Sequence, residues 1–199
     1  MKNIPITLIL FRLTLAPVIF SLSYFLRGDA RSILILLMYV GLISDILDGI
    51  VARNLNISTA SLRRLDSQTD LIFWLSIGFA TYFLYPDLIK SHKEYIIIIF
   101  MMEALCYVIS IVKFRKETCT HAFLSKMWGL SLLAAFTALI GFDYAGIPFY
   151  TAIVLGFISH LDRILITIIL PHWTHDIPSS YHAYLIRKGI KFKRNKLFN

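Results

Sequence analysis

Six long apolar segments joined by short polar connections leave this 199-residue chain few ways to fold. They cover residues 4–26, 31–53, 60–85, 94–113, 121–141 and 146–170. A helix needs about 20 apolar residues to cross a hydrocarbon core about 30 Å thick, and every segment reaches that length. Hydrophobic residues make up 57% of the chain and charged residues only 16%, against about 25% charged in an average soluble domain. The expected fold is an all-α integral membrane protein with six transmembrane helices. Pro17 lies inside the first segment and predicts a local kink. Arg12 interrupts that segment and no small-residue cleavage site follows, so it reads as a span and not as a leader. Cys106 and Cys119 read as free thiols, too few for a disulfide framework.

The bases orient the spans. The formal net charge is +8. With both termini cytoplasmic, thirteen of the twenty bases fall on the inner side: Lys2, the Arg53/Arg63/Arg64 group, the Lys113/Arg115/Lys116 group and six between Arg187 and Lys196. Four fall outside (Arg27, Arg31, Lys90, Lys93), and Arg12, Lys126 and Arg163 lie within spans. Such asymmetry places the basic loops and both termini inside. The bases sit between apolar runs and no nucleic-acid-binding module is present, so no nucleic-acid partner is expected. Residues 1–170 read as one six-helix domain. Residues 171–199 read as a basic cytoplasmic tail, either solvated or resting on anionic lipid at about 1 kcal/mol per base.

Acids inside the apolar segments carry the functional signal. Asp45 and Asp48 lie in the second segment, and Asp66 and Asp70 open the third. An ionisable group in a span costs about 2.5–3.5 kcal/mol on insertion scales and marks function by default. Asp45, Asp48, Gly49 and Ala52 stand at i, i+3, i+4 and i+7, one helical stripe, and Asp66 and Asp70 stand at i and i+4. The connection at 54–58 is short, and Ser58 or Thr59 can cap the third helix. The two helices are therefore expected as antiparallel neighbours with their acidic stripes face to face. Four converging carboxylates repel one another unless protons or cations sit among them. Oxygen-only ligands suit hard ions, Mg²⁺ or Mn²⁺, and four carboxylates suit two of them. Gly49 and Ala52 leave room beside the acids, and Arg53 follows at the membrane edge, in reach of a phosphate.

The run Asp45-x2-Asp48-Gly49-x2-Ala52-Arg53, eight residues, then Leu62-x3-Asp66-x3-Asp70 resembles the signature of the CDP-alcohol phosphatidyltransferase family. Seven of its eight positions match. Asn3-Ile4-Pro5 with Leu8, Phe11-Arg12 and Pro17 also resembles the opening of phosphatidylglycerophosphate synthases. The resemblance implies an enzyme that transfers a phosphoalcohol, commonly phosphatidyl, group from a CDP-alcohol lipid such as CDP-diacylglycerol to a hydroxyl acceptor, releasing CMP in phospholipid biosynthesis. It implies that Asp45, Asp48, Asp66 and Asp70 hold two divalent ions. Asp70 would also be the catalytic base, and Asp48, Gly49, Ala52 and Arg53 would flank the nucleotide. It implies a homodimer, and a cavity open to the cytoplasm and sideways to lipid.

The signature is broken at one position: Leu62 stands where the family has its second Gly, on the face of Asp66 and Asp70. Ser67 and Leu71 after the third and fourth acids also depart from the Pro and Lys usual in phosphatidylglycerophosphate and cardiolipin synthases, so no subfamily follows. The departure at Leu62 motivates an alternative, a weak or inactive relative that binds nucleotide or lipid. A small ion-coupled transporter would explain the acids but not Gly49, Ala52 and Arg53.

Further candidates are Arg63, His121 and Lys126, as ligands of the acceptor or a lipid phosphate; the plainer reading is a membrane-edge charge for Arg63 and inner-side charge for His121 and Lys126. Glu103, His160, Asp162 and Arg163 lie within spans, where a structural ion pair, Asp162–Arg163 or Glu103–Arg163, is the simpler account. Trp74, Trp128 and Trp173 near segment ends read as interfacial belt residues.

Overall fold

The structure is a computed structural model that describes residues 4–55, 57, 59–118, 120 and 122–190, without the side chain of Arg53. Its helices are α1 (Ile4–Leu26), α2 (Arg31–Asn54), α3 (Ala60–Leu84), α4 (Pro86–Ser91), α5 (Lys93–Phe114), α6 (Phe123–Phe142), α7 (Ile147–Ile169) and α8 (Ser180–Arg187). Six of them have 20 to 25 residues and coincide with the six apolar segments. There is no strand among the described residues. α1 continues through Pro17 without a break.

Among the described residues, four stretches are long and apolar enough to cross a membrane: Ile4–Ala52, which spans α1 and α2 together, Lys93–Phe114, Phe123–Phe142 and Ile147–Ile169. These mark an integral membrane protein. α3 does not join them, because Arg63, Arg64, Asp66 and Asp70 crowd its first turns. The surface agrees: Phe25, Val112 and Ile147 are each 78% exposed and Phe142 77%. Water would penalise such a surface, whereas lipid chains solvate it.

The chain divides into two compact units. The first comprises Met1–Ser91 and Leu133–Gly146. In it α1 packs along both α2 and α3. A 3-10 turn at Arg27–Ala30 joins α1 to α2, with Arg27 in the left-handed region at φ 45°. Leu15, Ile19, Leu34, Met38, Phe73, Ile77 and Ile140 form the core. Gly41 lets the Phe73 ring lie against the α2 backbone; a Cβ at residue 41 would run into that ring. Trp74 stacks on Phe136 with ring centroids 6.0 Å apart, so it serves packing here. At the other end, the Ile57 N–H bonds the Ala52 carbonyl at 3.1 Å. Thr59 then caps α3, its hydroxyl accepting from the Leu62 N–H at 3.2 Å. That satisfies one of the four orphan donors of a helix start.

The second unit comprises His92–Leu132 and Ile147–Asn199. In it α5 packs on α7, and α7 on α8. Gly156 makes room for Trp128, whose Nε1 would lie 2.6 Å from an added Cβ. Small residues allow such close approach where lipid offers no hydrophobic drive between helices. Lys113 reaches the end of α7, where its ammonium donates to the carbonyls of Thr167 (3.0 Å), Ile168 (2.6 Å) and Leu170 (2.8 Å). A cation there satisfies orphan carbonyls and complements the helix dipole. The segment after α7 begins as a packed element and not as a solvated tail. Ile177 and Ala183 are fully buried with Ala122, Ile166 and Leu170, and the Ser180 N–H bonds Asp162 Oδ1 at 3.0 Å. Hydrophobic residues ahead of the tail's first base, Arg187, provide that anchor.

Candidate functional site

The two acidic stripes face each other within the first unit. Carboxylate oxygens of Asp45, Asp48 and Asp66 lie within 4.8 Å of one another. Helical spacing explains the arrangement. Asp45 and Asp48 share a face of α2, Asp66 and Asp70 share a face of α3, and the short connection turns one helix back along the other. The set is graded in exposure. The side chains of Asp48 and Asp66 are 3% and 5% exposed, those of Asp45 and Asp70 34% and 31%. Asp48 and Asp66 thus form a floor, and Asp45 and Asp70 an open edge.

At the centre sits Arg12 of α1, itself 1% exposed. Its Nη2 donates to Asp48 Oδ2 and Asp66 Oδ1, both at 2.7 Å. Its Nη1 is ion-paired with Asp45 and, at 2.6 Å, with Asp70. One guanidinium from α1 therefore ties together both acidic helices. Sequence reasoning singled out Arg12 as an interruption of the first span and as part of an opening motif, but did not place it in the site. The available signal was electrostatic: a buried Arg with no acid on its own helix has to find its partners elsewhere.

The donor set fits a divalent cation. Three carboxylates converge to ligating distance, all donors are oxygen, and neither Cys nor His belongs to the group. That chemistry suits Mg²⁺ or Mn²⁺. Four carboxylates against one central guanidinium also leave the cluster short of positive charge. Arg63 adds to the cationic side. It is buried, with Nη1 3.7 Å from Asp66 Oδ2. Gly49 and Ala52 are buried on α2 beside the acids, and Leu62 is half-buried near the start of α3.

Other expected site residues stand apart or lie beyond view. Lys126 is half-buried on α6, in the second unit. His121 and the side chain of Arg53 lie outside the described residues, as do Ser58 and Cys119. The cleft lined by Tyr24, Arg27, Tyr82, Phe83 and Pro86 lies at the opposite ends of α1 and α3 from the acids and has no carboxylate in its wall.

The second unit has its own intramembrane charges. Glu103 on α5 receives Arg163 of α7 through two nitrogens, at 2.5 and 3.1 Å. His160 Nε2 lies 2.7 Å from the same carboxylate, and its Nδ1 meets the Gly156 carbonyl. Of the two expected ion pairs, Glu103–Arg163 forms, while Asp162 turns to the backbone of α8. Trp128 lies edge-on to His160, centroids 4.7 Å apart. Trp173 donates to the Glu117 carbonyl at 2.9 Å. Cys106 is buried, its thiol 3.6 Å from the His160 carbonyl.

A family model, CDP-alcohol phosphatidyltransferase, matches residues 2–169. No curated protein and no solved structure matches the chain.

Proposed function

Because the chain belongs to the CDP-alcohol phosphatidyltransferase family, a family of transferases of phosphate-containing groups, we propose that it moves a phosphatidyl group from CDP-diacylglycerol to a hydroxyl acceptor and releases CMP, in phospholipid synthesis. The single observation that carries this reading is the convergence of the α2 and α3 carboxylates in one cluster. Asp45, Asp48, Asp66 and Asp70 are the residues that would hold two divalent ions, Mg²⁺ or Mn²⁺. Bound there, such ions would neutralise the oxygens of a diphosphate. The rest of the chemistry falls to side chains. Asp70, a third exposed at the edge of the cluster, takes the acceptor hydroxyl's proton, which requires hydrogen-bond reach and an unblocked oxygen. Gly49 and Ala52 give the flat cytidine a place against α2, with Asp48 and Arg53 beside it. Arg63, already at the cluster, meets the phosphate of donor or acceptor; His121 and Lys126 are further candidates for that contact.

The same reading takes all six long helices as spans, with both termini and the site towards the cytoplasm, a placement the base distribution supports. Residues 1–170 form the catalytic domain, and the rest a cytoplasmic segment. The partners are a CDP-alcohol lipid, a hydroxyl acceptor, the bilayer and a second copy of the chain.

The deciding experiment is an acceptor screen with the purified protein and CDP-diacylglycerol, following CMP and the lipid product. Turnover should appear with Mg²⁺ or Mn²⁺, vanish with chelator and return on adding metal. Donor binding without turnover for any acceptor would favour the non-catalytic reading that Leu62 motivates. Sidedness has its own check: in an otherwise cysteine-free chain, cysteines at Asn56 and Ser91 should label from opposite faces of the membrane.

A further inference from the structure

Arg12 and a divalent cation would want the same oxygens. Nη2 lies 2.7 Å from both Asp48 and Asp66, while an ion bound by those carboxylates would stand about 2.0–2.1 Å from each. A guanidinium nitrogen and an ion cannot share that spot, for reasons of both volume and charge. The opposite nitrogen occupies the equivalent place between Asp45 and Asp70. The two ends of one guanidinium thus stand where two cations would.

The fit of Arg12 is also incomplete. A guanidinium has five N–H donors in a planar fork. Nη2 donates to two carboxylates and Nη1 is ion-paired with two more, but Nε has no hydrogen-bond partner among the described residues. Buried structural arginines are normally satisfied, as Arg163 is by placing two nitrogens on Glu103. The open edge at Asp45 and Asp70 gives the long side chain a direction in which to leave.

We propose that Arg12 is an exchangeable occupant of the acidic cluster: it holds the four carboxylates together, yields them to divalent ions, and so sets the concentration at which metal loads. This rests on reading the cluster as a metal site. Apparent affinity is lowered by the fraction of molecules in which the competitor holds the ligands, and removing the competitor lifts that penalty. Arg12 is then a positioning residue and not a catalytic one.

The test uses the full chain in detergent, with Mn²⁺ as the probe and the electron paramagnetic resonance signal of free Mn²⁺ as the readout. Arg12→Gln should lower the half-saturating Mn²⁺ concentration by about tenfold or more, while its melting temperature without metal falls below that of the unmodified chain. A second measurement needs no variant. Phenylglyoxal labelling of the Arg12 peptide, read by mass spectrometry, should be slow in chelator and rise with Mn²⁺. A folded Arg12→Gln chain that binds Mn²⁺ no tighter, or an Arg12 that stays protected at saturating Mn²⁺, would overturn the proposal and leave the metal site standing. Failure of both chains to bind Mn²⁺ would remove the metal site and the proposal together.

Discussion

The two units each bury charge in an apolar surrounding, and they do it in opposite ways. In the second, one carboxylate meets one guanidinium at two points, with His160 closing the far side. The Glu103 carboxylate is matched by Arg163, and His160 is held between Glu103 and the Gly156 carbonyl. In the first, four carboxylates crowd Arg12, with Arg63 beside Asp66 as the second guanidinium, so negative charge is in excess. A balanced and saturated pair joins helices. An unbalanced and unsaturated cluster is built to exchange its occupants, because it has charge left over for an incoming cation. Intramembrane charge alone is thus a poor guide to function; its surplus is the better one.

That contrast can be broken by mutation. Asp48→Asn or Asp66→Asn should reduce CMP release by more than about 100-fold while the protein still inserts and folds. Losing even an outer partner of a metal ligand costs roughly 10–100-fold. Full turnover in either variant at saturating metal would dissolve the distinction between the units. Glu103→Gln should do the reverse. It removes the partner of a buried guanidinium, a change that costs about 3–5 kcal/mol, so thermal or denaturant stability should drop sharply. Turnover per folded molecule should stay within a few-fold, and loss of turnover without loss of stability would move Glu103 into the chemistry.

Packing gives smaller effects. Gly156→Ala has to push the Trp128 ring aside, and overpacking of this kind costs about 1–3 kcal/mol. The melting temperature should fall without a change in metal affinity. Smallest is Leu62→Gly, which restores the family's residue. Helix propensity predicts a loss of about 1 kcal/mol, and relief of crowding predicts a higher kcat/KM for the donor. A lower melting temperature with unchanged donor kinetics would mean that the nucleotide avoids this face of α3.

Much of this was legible before any coordinates. The six helices begin and end within a few residues of the apolar segments, since length and apolarity leave little choice. The facing of Asp45 and Asp48 towards Asp66 followed from helical spacing and a short connection. So did the Thr59 cap. Arg12 was harder, because its four partners lie 33 to 58 residues away and no local pattern links α1 to α3. Arg63 could be read as a site residue because it shares the acids' own helix face. The bridging position of His160 and the burial of Ile177 and Ala183 were not legible. Both depend on which helix lies alongside which, and counting bases in the tail hid its apolar anchor.

The place of Arg12 also bears on how such a protein is made. Synthesis delivers α1, with its guanidinium, before any of the four carboxylates exists. Each charge at a helix centre costs about 2.5–3.5 kcal/mol on insertion. Asp45 and Asp48 arrive next, on α2, and relieve part of that cost. α3 comes last of the three and is the most polar, the one long helix of this unit outside the strongly apolar stretches. By then one guanidinium already faces two carboxylates, so Asp66 and Asp70 add to a negative excess that Arg63, on α3 itself, partly offsets. The order of synthesis is then also the order in which negative charge gathers round Arg12.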